Sequence, residues 1–188
     1  VNRLALVMFM GAFPYAAIIS FISIYSDELG LKQGGLFFIF MAIGVILARV
    51  FVGKVMDKKG PNGLVLFGIL ITVAGLFLMS YVSTFWPLMA SGILVGIGNG
   101  IIMPTVQTMA LNMVPVERHG AANATFFSAV DLGIGAGSIS LGYIAEYFGI
   151  AVMFFICGII LLLPLLFYFL FVVKHYEFHV EKLSHANA

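Results

Sequence analysis

Arg49-Val-Phe-Val-Gly53-Lys-Val-Met-Asp57-Lys58-Lys59-Gly60 is the one strongly charged interruption before the C-terminal tail, in a chain that otherwise reads as lipid-soluble. It joins two apolar blocks and so marks a short connector between membrane crossings. Residues 49, 53 and 57 recur at i, i+4 and i+8, and on a helix they form one slowly winding stripe. To either side the chain is apolar: its 188 residues are 62% hydrophobic and only 9% charged, with a mean hydropathy of +1.14. Soluble domains carry about 25% charged residues, so this is the composition of an all-α integral membrane protein with the lipid bilayer as its solvent. Six blocks have the roughly 20 residues needed to cross a hydrocarbon core, near 4–25, 34–54, 64–83, 87–111, 120–145 and 150–173. They leave almost nothing for a soluble domain.

The connectors are short: Ser26–Gln33, Lys54–Gly63, Ser83–Trp86, Asn112–His119 and Tyr147–Gly149. Such loops make neighbouring helices antiparallel and adjacent, which predicts a six-helix bundle. If the segments alternate, Arg3, Lys54, Lys58, Lys59, Arg118, Lys174 and Lys182 share one side, with Arg49 just inside it. The other side carries Lys32 beside Asp27, Glu28 and Glu146. The positive-inside rule puts both termini and the charged connector in the cytoplasm of a cell (inner or plasma) membrane, with residues 174–188 as a cytoplasmic tail. Tyr81, Trp86, Tyr143 and Tyr147 fall at the predicted outer ends, where amphipathic rings favour the interface. Residues 4–25 lack the cleavage site of a signal peptide. The start at Val1, directly before a crossing, suggests a fragment or an unusual start.

Small residues are concentrated in two helices. The fourth carries Gly92, Gly96, Asn99, Gly100, Met103 and Gln107 along one face, with Pro104 interrupting it; the fifth carries Asp131, Gly135, Ser138 and Gly142, with Gly133, Gly137 and Ser140 beside them. Such spacing lets helix backbones approach closely in lipid, and with Asn, Gln and Pro it also suits helices that bend and slide.

Asp131 lies about eleven residues, or roughly 16 Å, into the fifth segment, close to mid-bilayer. A carboxylate there is costly and faces protein or water. It is a proton-coupling candidate, weighed against a structural hydrogen bond to a neighbouring helix. Arg49 reads as a snorkelling arginine or as an ion-pair partner for Asp57 or another acid. Asp57 can dock at a helix N-terminus; Gly53 would allow close approach and Gly60 a turn. Pro14 can free backbone groups that line a cavity, making Tyr15 a substrate-pathway candidate, together with Asn99 and Gln107.

Other chemistry is thinly represented. Cys157 stands alone in an apolar run, where packing is its expected role. His175 and His179 are at i, i+4, but two ligands make a weak metal site and none is assigned. Gly96-Ile-Gly98-Asn-Gly100 and Gly133-Ile-Gly135-Ala-Gly137 lie inside membrane segments and complete no nucleotide loop. With no Ser-His-Asp, Cys-His or HExxH set, no cofactor and no nucleic-acid signature, the chain is not read as an enzyme.

Arg49…Gly53…Asp57-Lys58-Lys-Gly60 resembles the signature loop of the major facilitator superfamily, Arg-x-x-x-Gly-x-x-x-Asp-[Arg/Lys]-x-Gly, which joins the second and third helices of each six-helix half. Tyr15-Ala-Ala-Ile-Ile-Ser-Phe-Ile-Ser-Ile-Tyr25 is similar to the opening helix of the second half in bacterial drug-efflux-like members. Gly96…Gly100…Pro104-Thr-Val-Gln107 and Pro115-Val-Glu117-Arg118-His-Gly120 resemble the fourth helix and its following loop, and Asp131-Leu-Gly-Ile-Gly135 the fifth helix, so the likeness covers nearly the whole of residues 1–173. The family's loop usually ends in two basic residues in the N-terminal half, whereas Pro61, Asn62 and Gly63 follow here. The fifth helix also lacks that half's Gly-Pro and Gly-Gly pairs.

The resemblance therefore implies the C-terminal half of a twelve-helix transporter, lacking its N-terminal six-helix half, with the 49–60 stretch as a gating loop. The function it implies is alternating-access transport of a small-molecule substrate, as proton-coupled export of partly apolar compounds. The alternatives are uptake of a sugar, amino acid or organic anion by the same fold, and a non-transporting membrane scaffold or truncated half-protein.

Overall fold

The computed structural model describes residues 2–31, 34–173 and 176, without the side chains of residues 54–59. Lys32, the side chains of Asp57 and Lys58, and the tail positions Lys174, His175, His179, Lys182 and His185 lie outside the described residues. The chain runs through α1 (Asn2–Glu28), α2 (Gly34–Lys59), α3 (Pro61–Ser80) and α4 (Phe85–Asn112). A 3-10 turn (Val116–Arg118) then leads to α5 (His119–Phe148), α6 (Ile150–Ile160), α7 (Leu162–Phe167) and a π-helical turn (Tyr168–Val172). Among the described residues, six helical spans are long and apolar enough to cross a membrane.

Two local features differ from the sequence reading. The charged connector is helix, not loop: α2 continues to Lys59 and α3 begins at Pro61. The reversal is concentrated at Gly60, whose φ of 73° lies in the left-handed region that glycine alone enters freely. Pro61 then starts α3, where its missing N–H costs nothing and its fixed φ suits a first turn. The sixth span is broken at Leu161, between α6 and α7. Pro164 accounts for this: it cannot donate to the Ile160 carbonyl and its ring crowds that turn. The π turn follows, and Arg3 Nη1 donates to the Phe171 carbonyl at 2.8 Å, tying the start of α1 to it.

α4 is the central strut, with α2 packed along one side and α3 along another, while α1 packs on α5 and α6 joins α3 to α1. The glycines explain how the backbones come so close. A Cβ added to Gly96 would collide with the Met41 carbonyl of α2, and one added to Gly44 with the Ile93 carbonyl of α4. Gly92 meets Phe37, and Gly100 meets Val45 and Ala48, so the 92–96–100 ladder is the α2–α4 seam. On α5, Gly133 lies against the Phe9 carbonyl and Gly137 against Ala16, forming the α1–α5 seam. Lipid is as apolar as leucine, so close van der Waals contact of this kind drives helix association.

Tyrosines pin the two ends of the bundle. Buried Tyr25 donates to the Met79 carbonyl at 3.0 Å and meets Phe154 edge-on, with ring centroids 5.4 Å apart. At the other end Tyr168 donates to Asn62 Oδ1 at 2.7 Å. Tyr81, Trp86, Tyr143 and Tyr147 are all exposed around the Tyr25 end, as an interfacial aromatic belt requires.

Candidate functional site

α1 and α4 make few direct contacts at mid-span, and a cavity of about 270 Å³ opens there. Tyr15 and Pro14 of α1, Arg49 of α2, Thr72 of α3, Asn99 and Met103 of α4, and Pro164 of α7 contribute to its wall. The remaining lining is aliphatic, apart from two glycines. Three proline-containing stretches of helix meet around it, two of them continuous and the third broken between α6 and α7. Pro14 and Pro164 line it directly, and Pro104 removes the intrahelical donor from the Gly100 carbonyl, which belongs to the same wall.

The polar groups of the cavity are few. Thr72 Oγ1 is already committed to the Gly68 carbonyl at 2.8 Å, and its hydroxyl fills the space beside Gly98. Tyr15, Arg49 and Asn99 make no hydrogen bond or ion pair with any described residue. An apolar chamber with a small set of convergent, uncommitted polar groups is the usual form of a small-molecule site. A second hollow, of about 670 Å³, lies between α2 and α3 over α4. Every described residue lining it is apolar or glycine, from Leu47 and Phe51 to Phe67 and Ile101, so it offers nothing that would orient a ligand.

Of the residues singled out in the sequence, Tyr15, Asn99 and Arg49 are brought together here, and Arg49 reaches this wall from the signature stretch. Gln107 is elsewhere: its Nε2 donates to Asn123 Oδ1 at 3.0 Å, a bond between α4 and α5. We expect Gln107→Leu to destabilise the fold by about 1 kcal/mol, the usual size of an interhelical polar bond in a membrane. A double-mutant cycle with Asn123→Leu, read by thermal unfolding, checks this; strictly additive effects would deny the coupling.

Asp131 lies on an exposed face of α5, although its neighbour Val130 lines the cavity. Gly135, one turn on, has open space where a Cβ would stand. Gly53 is exposed, and a Cβ added there would meet no described atom within 4 Å, while Gly60 forms the turn. Thr72 and Pro164 were not singled out in the sequence. Pro164 carried a signal, a proline in the middle of an apolar span, whereas Thr72 carried none.

Six membrane-length helices among the described residues, packed around a mid-span cavity, are the architecture of a multi-pass membrane protein. The chain belongs to the Major Facilitator Superfamily, whose family model matches residues 4–186. It is 26% identical over 174 residues to the staphylopine export protein of Staphylococcus aureus, covering 88% of this chain and 43% of that protein. It is also 26% identical over 176 residues to the multidrug resistance protein MdtG of Dickeya zeae, covering 90% and 43%. An uncharacterized MFS-type transporter of Methanocaldococcus jannaschii is 28% identical over 142 residues, covering 74% and 36%. The chain thus spans about two fifths of the length of these relatives. Among solved structures, a bacterial homologue of the human drug peptide transporters PepT1 and PepT2 superposes with a TM-score of 0.83 at 19% identity, covering 94% of this chain and 41% of that one. A POT family transporter bound to a thioalcohol-conjugated peptide gives 0.80 at 21% identity, covering 93% and 38%. At such identities the likeness is one of fold.

Proposed function

We propose that this chain is the C-terminal six-helix half of a transporter that exports small, partly apolar compounds by alternating access, coupled to protons. The observation that carries the reading is the mid-span cavity, apolar in its walls and holding Tyr15 and Asn99, which bond no described residue, between proline-containing helices. The export and multidrug-resistance relatives favour outward movement. Uptake by the same fold is the second reading, favoured by the fixed polar groups Tyr15, Arg49 and Asn99 in the cavity wall.

Two helices argue for a complementary half. Only 22% of the apolar window of α2 and 28% of that of α5 is buried, against 50% for α1, α3 and α4. The exposed side of α5 includes Ala124, Ser128, Asp131 and Gly135, a face of small and polar residues ill-suited to lipid. In this reading a second six-helix bundle covers it, both termini of the segment are cytoplasmic, and the turn at Gly60 belongs to the gate. Asp131, on that covered face, is the coupling carboxylate.

The test uses the complete transporter, this half with its complement, in proteoliposomes under an imposed pH gradient. The assay offers anionic, neutral and cationic aromatic compounds in turn. Gradient-dependent movement of at least one compound is expected, reduced several-fold by Asn99→Ala. No movement of any compound by folded protein would sink the reading, and movement with the proton gradient toward the cytoplasm would replace export by uptake.

A further inference from the structure

We propose that the mid-span cavity selects small amphipathic carboxylates, with Arg49 as the anchor of the anionic group; the inference deepens the transport reading and rests on it. Arg49 is the one charged residue among the described residues of the cavity wall. It has no ion pair or hydrogen bond with any described residue. The described acids all lie elsewhere. Asp27, Glu28 and Glu146 are near the Tyr25 end, Glu117 is in the 3-10 turn, and Asp131 is on the exposed face of α5. Among the described residues, the chamber therefore presents one positive charge, on an exposed Arg49 at the rim of otherwise apolar walls, with no acid facing it.

The chemistry of the wall narrows the ligand. A guanidinium offers a planar fork of donors that matches a carboxylate in a bidentate pair. The Tyr15 hydroxyl and the Asn99 amide add donors on α1 and α4. Val7, Met8, Ile69 and Leu161 seat an apolar body but offer a polar one nothing. A cation would meet Arg49 with repulsion, and a neutral molecule would leave the guanidinium without a partner. At about 270 Å³ the chamber is just below the usual range of ligand pockets, about 300 to 1,000 Å³. A single ring or short chain bearing one carboxylate suits it.

Three probes with one body and different heads separate the outcomes: 3-phenylpropionate, 3-phenylpropanol and 3-phenylpropylammonium. Binding to the complete transporter in nanodiscs is measured by calorimetry. Phenylpropionate is expected to bind about tenfold tighter than either of the others, the usual effect of one charge-assisted bond. Arg49→Gln should erase that preference. Arg49→Lys, which keeps the charge but loses the fork, should keep the order of the three probes with a smaller gap. Should Arg49→Gln prove unfolded by gel filtration, the Lys variant and Asn99→Ala carry the comparison, each with a reduced phenylpropionate advantage expected. Equal affinity for the three heads, no binding of any, or an unchanged preference in a folded variant overturns the inference. Its failure is separable from failure of the transport reading: vesicles that still accumulate neutral or cationic compounds refute the anion site alone.

Discussion

Gly96→Val is expected to prevent assembly of the bundle, and Gly96→Ala to destabilise it by about 1–3 kcal/mol, the range for forcing extra atoms into a packed core. The reason lies at the α2–α4 seam. The Met41 carbonyl of α2 occupies the place a Gly96 side chain would take, and the obstacle is backbone, which cannot rotate aside. Gly44 meets the Ile93 carbonyl in the opposite sense, so the two helices lock at two points about one turn apart. Parting them at Gly96 would loosen the Phe37–Gly92 and Ala48–Gly100 contacts together. A valine adds two methyls beyond the first collision and has few rotamers with which to avoid it. Gly120→Ala is the control: nothing lies within 4 Å of its added Cβ, and a helical alanine is favoured over glycine by about 1 kcal/mol. Gel filtration and thermal unfolding of the three variants in detergent decide the matter. A Gly96→Val protein as monodisperse and stable as wild type would show that the seam is not as close as described.

The number of crossings was legible in the sequence because length and hydropathy alone determine it. So was the family, carried by the spacing of Arg49, Gly53, Asp57 and Gly60. The rotation of each helix about its axis was not legible. In a soluble bundle the polar stripe marks the outside, but here both the lipid-facing side and the packed side are apolar, as exposed Ile46 and buried Phe37 show on the same helix. That is why the position of Asp131 along its helix could be read and its direction could not. Arg49 could likewise be assigned to a motif but not to a cavity wall, a placement set by how α2 leans on α4. The charged run after Gly53 read as a loop because lysines cluster there. Lysine and methionine are nonetheless good helix formers, and only Gly60, with its left-handed φ, ends the helix.

Asp131→Asn is expected to abolish proton movement driven by substrate while leaving the protein folded. Asparagine keeps the size of the side chain and its capacity for hydrogen bonds but cannot bind and release a proton. The position argues for a proton-handling role. Asp131 is near the middle of α5, where a lipid-facing charge costs about 2.5–3.5 kcal/mol even on insertion scales, yet it stands on a side that no described element of this chain covers. In the proposed complete transporter that side meets protein or water. Val130, the adjacent residue, lines the cavity, and successive helix positions are about 100° apart, so the carboxylate sits beside the chamber without being part of it. In the proposed transport reading, a group so placed exchanges protons with water between the halves and leaves the ligand to the cavity wall. A pH-sensitive dye trapped in proteoliposomes reads the outcome: wild type should show a substrate-dependent proton signal, Asp131→Glu a reduced one and Asp131→Asn none. A purely structural aspartate predicts the reverse pattern, a lowered unfolding temperature for Asp131→Asn with the proton signal intact, and that result would remove Asp131 from the coupling mechanism.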